Sequence, residues 1–395
     1  MDISGNIEQI RAEFPALAYT KYLNSAAHGP ALARVQERVA DWWNFYTYEN
    51  TAMKAPDSKG EVAKALNVDK VDITWVNRVS QAVNIISGMA RLERGDNIVI
   101  TDLGYPTGSY PFLLWRERGV EIRSVRHSDG IITTNDFEKA IDDKTKIVSL
   151  SHVEWTSGLV HDVKTLAGIA HDHGALVVDD GYQAQGNIHV EPEADGVDFY
   201  TFGSQKWMCC PAMAGVLYVR REVADAYEPM YRCYNQVEEA FKGLAQPWEM
   251  PGHDNIASWD HPLYKGAEKF NQGLLSSEAI WGFGAALGFF NEVGLENIEE
   301  RNRGLADDLI EELGGLKVKI NTPQDVGKHT GLVTFTTGRH EDNQRLFAAF
   351  IKEGIVVALR YAAGVGGIRV SCHFFNTEDE IDALLSVVKK TLGNP

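Results

Sequence analysis

Apolar and polar positions fall into two rhythms along the chain. From about residue 70 to 220, short runs that are apolar at consecutive positions alternate with stretches of helical spacing. "NIVITD" (97–102), "TKIVSLSHV" (145–153), "ALVVDD" (175–180), "VDFYTFG" (197–203) and "GVLYVR" (215–220) read as strands. "VKTLAGIAHDHG" (163–174) reads as a helix closed by Gly174, a residue suited to the left-handed turn that ends helices. A strand apolar on both faces needs cover on both sides, and the intervening helices supply it. The pattern therefore predicts a mainly parallel sheet flanked by helices, an α/β architecture.

Beyond that stretch the rhythm changes. Residues 235–265 are rich in Pro, Gly, Trp and Asn and read as an irregular connection. "SSEAIWGFGAALGFFNEVG" (276–294) reads as a long helix with Ser276 or Ser277 as N-cap, its small residues suited to close packing. A strand at "HTGLVTFTT" (329–337) and a helix at "TEDEIDALLSVVKKTLG" (377–393) suggest a smaller α+β unit.

Composition narrows the function classes. The 395 residues are 44% hydrophobic and carry a net charge of −17, which argues against nonspecific binding to nucleic acid or an anionic membrane. No apolar run approaches the roughly 18 residues of a membrane span, and the polar, amphipathic start "MDISGNIEQIRAEFP" is unlike a signal peptide. Cys209, Cys210, Cys233 and Cys372 form no CxxC pair and read as free thiols in a reducing cytoplasm. The histidines are scattered, and His171 and His173 stand on different faces of a helix, so no metal site is expected.

Two residues carry the candidate chemistry. Asp180 ends one buried strand and Lys206, in "DFYTFGSQKW" (198–207), follows the next. In doubly wound sheets ligands sit outside the carboxyl ends of the strands. Asp179 must face away from Asp180, because side chains alternate along a strand. A lysine amine in low-polarity surroundings, here expected from Trp207, Met208 and Cys209, stays partly neutral and condenses with an aldehyde. A carboxylate keeps a pyridine nitrogen protonated. Pyridoxal phosphate needs both, although other enzymes use such a pair.

With these residues in order, the chain resembles the class V aminotransferase family of fold-type I pyridoxal-phosphate (PLP) enzymes, in the branch of isopenicillin N epimerase-like proteins and cysteine desulfurases. The likeness runs from "YLNSAAHGP" (22–30) through "LVVDDGYQAQG" (176–186) to "IRVSCHFFNTEDEID" (368–382). It implies a large PLP-binding domain (21–262) with a mainly parallel seven-stranded sheet, a smaller α+β C-terminal domain (263–395), and an N-terminal segment (1–20) packed on the latter. It implies that Lys206 binds the cofactor and moves the α-proton, that Asp180 pairs with the ring nitrogen, and that Gln183 bonds the ring's phenolic oxygen. Val79 and Ser80, in "NRVSQAVN" (77–84), with Ser204, would hold the phosphate. Tyr105 would stack on the ring, Gln205 and Trp155 would lie beside it, and Arg369 would grip the substrate carboxylate, with Ala27 and His28 nearby. It also implies a homodimer acting on a small amino acid.

Departures from the family shape the expected reaction. Gln205 stands where a histidine usually precedes the lysine, Tyr105 where many relatives stack a histidine, and Trp155 where desulfurases have an asparagine. Desulfurases carry a catalytic cysteine on the loop before the arginine, and "RYAAGVGGIR" (360–369) has none. The reading is β-elimination on a cysteine-type or S-conjugated amino acid, a C–S lyase. Epimerisation with Tyr105 as opposite-face donor, transamination and decarboxylative deamination are the alternatives within the family. A non-catalytic scaffold is the alternative outside it.

Overall fold

The computed structural model describes residues 2–49, 55–238, 262–325 and 327–393; most of the irregular connection expected at 235–265 lies outside them. In chain order the strands are β1 (Lys21–Tyr22), β2 (Ile73–Val76), β3 (Asn97–Thr101), β4 (Glu121–Val125), β5 (Thr145–Ser151), β6 (Leu176–Asp180), β7 (Phe199–Gly203) and β8 (Gly215–Val219). They are followed by β9 (Lys319–Ile320), β10 (Leu332–Thr336), β11 (Ile355–Val356), β12 (Ala358–Ala362) and β13 (Val365–Ser371). The expected strands at 145–153 and 329–337 are therefore shorter than their apolar runs. The helix expected at 163–174 spans Val163–Asp172, with Gly174 beyond it in the left-handed region at φ 73°.

A seven-stranded sheet runs in the order β2-β8-β7-β6-β5-β3-β4. Neighbours among β3 to β7 are parallel, whereas β8 is antiparallel to both β7 and β2. Residues 204–214 between β7 and β8 hold no helix, and a parallel return needs a longer crossover. Alternate side chains enter two separate cores. Val99, Val148, Val177 and Tyr200 pack on one face with the helix Val163–Asp172; Ile98, Ile147, Val178 and Phe199 pack on the other with the helix Val79–Met89. This period of two is what makes the apolar runs continuous. It also assigns Asp179 and Asp180 to opposite faces.

A second, four-stranded antiparallel sheet runs β12-β13-β10-β9. One face carries Val333, Phe335, Ile368 and Val370 into a core with the helices Leu295–Gly314, His340–Lys352 and Glu378–Leu392. The last of these opens on a Thr377–Glu380 capping box. The other face, with Leu332, Thr334, Arg369 and Ser371, looks toward the large sheet: Thr334 Oγ1 donates to the Thr156 carbonyl at 2.5 Å. A short parallel pair, β1 with β11, joins the N-terminal part of the chain to the same region. Phe14 packs on Phe289, Phe374 and Phe375, and Arg11 donates to the Phe375 carbonyl at 2.7 Å.

The helix Ser277–Val293 lies against the helices Ala33–Asn44 and Ser58–Leu66. Its small residues permit the approach: a Cβ at Gly284 would come within 2.2 Å of Ser58 Oγ. Ser276 holds the N-cap position without a side-chain capping bond. Among the described residues no helix is long and apolar enough to cross a membrane.

Candidate functional site

The site is built at the carboxyl edge of the large sheet. Register sets Ser151 and Asp180, the last residues of β5 and β6, side by side, with Thr201 of β7 opposite Asp180. Asp180 Oδ1 accepts the Tyr182 N–H at 3.0 Å. Burial pushes the Asp180 carboxyl above its ordinary range, and the charge of Lys206 pulls it back. Asp179, on the opposite face, bonds His152 Nδ1 at 2.8 Å and serves the packing beneath the site.

Lys206 sits in the turn after β7. Its Nζ lies 4.0 Å from the centroid of the Tyr182 ring and 5.4 Å from that of Tyr105. Burial lowers its pKa, the Asp180 charge opposes the shift, and the Arg369 charge adds to it. The low-polarity partners are thus not those expected from the flanking sequence. Trp207 turns away, fully buried, and its indole donates to Gln183 Oε1 at 2.7 Å; Met208 and Cys209 enter the core.

Tyr105 occupies the N-cap position of the helix Pro106–Leu113 and is 43% exposed, so its ring faces open space as well as the amine. It meets Trp155 edge to face at 5.3 Å. The Trp155 carbonyl accepts from Arg369 Nη1 at 2.8 Å. Arg369 belongs to β13 of the small sheet yet reaches this edge while only 1% exposed. Burial depresses its guanidinium to about 9, and the charge of Arg360 adds to the effect. Trp155 Nε1 and Arg369 Nε are both buried without a hydrogen-bond partner among the described residues. Lys206, Asp180, Tyr105, Trp155 and Arg369 are therefore brought together.

The remaining sequence candidates frame this centre. Gln183 is buried and donates from Nε2 to the Ala26 carbonyl at 3.0 Å. That bond fixes the turn in which Ala27 is half-buried and His28 exposed, while Ala26 N–H donates to Ser371 Oγ at 3.2 Å. Gln205 contributes its carbonyl, which accepts from Gly29 N–H at 2.8 Å. Ser204 Oγ donates to the Pro211 carbonyl at 2.5 Å, so its proton points into the turn. Val79 and Ser80 open the helix Val79–Met89, whose N-cap, Arg78, makes no side-chain capping bond. A helix start left uncapped presents N–H groups and a positive dipole end to an anion.

Two residues escape a reading of the sequence. Tyr182, in "DGYQ", lies between Asp180 and Gln183 and contributes the ring nearest to hand for the Lys206 amine. Gly29 backs the lysine turn: a Cβ there would stand 2.2 Å from the Lys206 carbonyl oxygen and 2.9 Å from Cys209 Cα. The motif "AHGP" marks a turn, but the partner 177 positions later leaves no local signal.

None of the four cysteines presents a reactive thiol. Cys209, Cys210 and Cys372 are buried and Cys233 is half-buried, and burial pushes each pKa up, that of Cys372 to about 12. β12 and β13 form a tight hairpin, and no cysteine lies between Arg360 and Arg369.

A mainly parallel seven-stranded sheet with a lysine and a carboxylate at its carboxyl edge, met there by an arginine from a smaller α+β unit, is the fold-type I architecture. The apo cysteine desulfurase of Thermococcus onnurineus NA1 shares it at TM-score 0.85 and 24% identity, with 98% of each chain covered. So does the cystine C–S lyase C-DES, described in complex with its product cysteine persulfide, at TM-score 0.82 and 21% identity, covering 95% of this chain and 98% of that one. The profile of the family "Aminotransferase class-V" matches residues 44–384, and the chain belongs to that family. A probable cysteine desulfurase of Methanothermobacter thermautotrophicus is 25% identical, with 98% of each chain covered.

Proposed function

We propose that this protein is a pyridoxal-phosphate-dependent C–S lyase that acts on cysteine or an S-conjugated cysteine. The observation that carries the reading is the Lys206 amine, depressed by burial, set over the Tyr105 and Tyr182 rings within the field of Asp180 and Arg369. The donor set fits the cofactor: an amine to hold the aldehyde carbon, a carboxylate to face a ring nitrogen, and an uncapped helix start at Val79 and Ser80 for a phosphate. When bound, pyridoxal phosphate supplies the electron sink for charge developing at a substrate α-carbon. Curated relatives described as cysteine desulfurases and the fold shared with a cystine C–S lyase support the choice of sulfur substrates.

In this reading each residue has a task of its own. Arg369 holds the substrate α-carboxylate, the neutral Lys206 amine takes the α-proton and passes it on, and Trp155 and Tyr105 wall the pocket. Ser80 and the amide of Val79 hold phosphate oxygens, with Ser204 after its hydroxyl turns from Pro211. Gln183 and Gln205 brace the turns around Lys206, and Ala27 and His28 border the entrance. The overall conversion consumes one water: a conjugate R–S–CH2–CH(NH3+)–COO− gives R–SH, pyruvate and ammonium. With all four thiols withdrawn or raised in pKa, sulfur leaves as a thiol or persulfide rather than through a protein cysteine. The same proposal places the site in a cytoplasmic homodimer and divides the chain near residue 262 into a cofactor domain and a smaller one.

The test is to incubate the reconstituted enzyme with S-methylcysteine, S-ethylcysteine and cystine and assay pyruvate, ammonia and the sulfur product, a thiol from the first two and a persulfide from cystine. Equal yields of the three products are expected. Exchange of the α-proton into deuterated solvent without any of them would replace the lyase by an epimerase. Light scattering on the same preparation checks for the dimer.

A further inference from the structure

The turn after β6 sends a phenol ring back across the end of β7. The Tyr182 N–H donates to Asp180 Oδ1 at 3.0 Å, which fixes the course of the turn. The half-buried ring packs on the core that Val178 and Phe199 share with the helix Val79–Met89. It also covers Gly203, the last residue of β7. A Cβ at Gly203 would stand 2.7 Å from Tyr182 Cε2 and 3.0 Å from the hydroxyl oxygen. Gly203 lies outside the left-handed region, so only the space beneath the ring calls for glycine there.

Lys206 follows in the next turn and lays its amine on that ring, with Nζ 4.0 Å from the centroid. An aromatic face carries negative potential and attracts an ammonium within about 6 Å of its centroid. Among the described residues the amine makes no hydrogen bond and no ion pair, so the ring is its nearest anchor. Tyr105 offers a second, more distant face at 5.4 Å. The charges that act on the amine come from Asp180, which favours the protonated form, and Arg369, which opposes it. Burial, with the charges of Asp180 and Tyr105, pushes the Tyr182 phenol up, so the ring against the amine stays neutral.

We infer that Tyr182 is a positioning residue for Lys206, holding the ε-amine against its ring face, and that Gly203 is the residue that lets the ring lie there. The ring restrains a four-carbon stem that has no other polar tether, and it favours the protonated amine. The hydroxyl plays no part, because the amine meets the ring face. The inference takes from the proposed function only that Lys206 is the reacting amine, and the contact is measurable without turnover.

The experiment reads the amine twice in the full-length protein. Before reconstitution, acetic anhydride labels neutral amines, and peptide mass mapping across a pH series gives the midpoint at which Lys206 loses its proton. On reconstitution, absorbance follows the rate at which pyridoxal phosphate attaches, measured above every midpoint so that the amine is neutral throughout. Tyr182→Leu keeps apolar bulk and removes the ring face. It should lower the labelling midpoint by about half a pH unit and slow attachment about tenfold. Tyr182→Phe should match the wild type in both. Gly203→Ala touches neither residue, yet its methyl displaces the ring and should reproduce the Tyr182→Leu result. The double variant Tyr182→Leu, Gly203→Ala should be no worse than Tyr182→Leu alone, as for two residues acting through one contact. Other lysines in the same digest should keep their midpoints, which separates the effect from a loss of fold. An unchanged midpoint or attachment rate in Tyr182→Leu, or additive effects in the double variant, overturns the inference. If the midpoints move as expected but the wild type takes up no pyridoxal phosphate on Lys206, the cofactor reading fails and the positioning contact stands.

Discussion

Arg369 offers a prediction in which stability and binding move in opposite directions. Its side chain is 1% exposed, and burial shifts its pKa from 12.5 to about 9. At 1.36 kcal/mol per pH unit, that displacement corresponds to a burial cost on the order of 4–5 kcal/mol in the folded chain. One compensating contact is visible, the bond from Nη1 to the Trp155 carbonyl at 2.8 Å. A hydrogen bond from a charged donor contributes about 1.5–3 kcal/mol. Arg369→Met removes the charge, keeps most of the apolar stem, and gives up that bond. The difference leaves the variant more stable by roughly 1–3 kcal/mol, as replacement of unpaired buried charges by apolar groups often does. Scanning calorimetry of the cofactor-free protein should therefore show a Tm higher by a few degrees. In the holoenzyme the same change should weaken binding of an unreactive carboxylate ligand by about 100-fold, because the carboxylate loses its charged partner. A lower Tm in Arg369→Met would show that the guanidinium is held for the fold. A higher Tm with unchanged affinity would show that the substrate carboxylate does not use it.

Further consequences follow from the same geometry. The folded-state pKa of Lys206 is depressed below its ordinary 10.5, so between the two values the unfolded chain binds more protons; apo-enzyme stability should rise as pH is raised toward 10.5, and urea titrations of Lys206→Met should lack that slope. Gly29→Ala puts a Cβ 2.2 Å from the Lys206 carbonyl, a backbone atom that cannot swing aside, and should lower the unfolding midpoint by an amount equivalent to roughly 1–3 kcal/mol. Pyruvate yield from S-methylcysteine should fall with it, and a wild-type melting curve would discount the close packing. Cys372→Ala removes a buried thiol whose pKa is raised to about 12 and should leave pyruvate, ammonia and thiol release within about twofold of wild type. Formation of alanine in place of pyruvate by the wild type, lost in Cys372→Ala, would reinstate a protein persulfide.

The large sheet was legible because its strands are buried on both faces, so that "NIVITD" and "ALVVDD" carry their apolar character at every position. Their ends were less so: Ser151 closes β5 although the apolar pattern continues to Val153, because pairing with β6 stops at Asp180. Asp180 and Lys206 were visible for a physical reason, as one is a charged residue closing a buried strand and the other follows shortly after the next. Tyr182 was not, since a tyrosine in a turn has no periodicity to betray it. The environment of Lys206 was misassigned to its chain neighbours because adjacent residues in a turn diverge. Trp207 faces Gln183 and His373, whereas the amine faces rings 24 and 101 positions away.

Reduction of the reconstituted enzyme with borohydride, followed by mass mapping of its peptides, addresses the attachment of pyridoxal phosphate most directly. The expected result is a single phosphopyridoxyl adduct on Lys206, absent in Lys206→Ala protein, whose visible absorption band is also lost. An adduct on another lysine, or none at full cofactor saturation, would contradict the account.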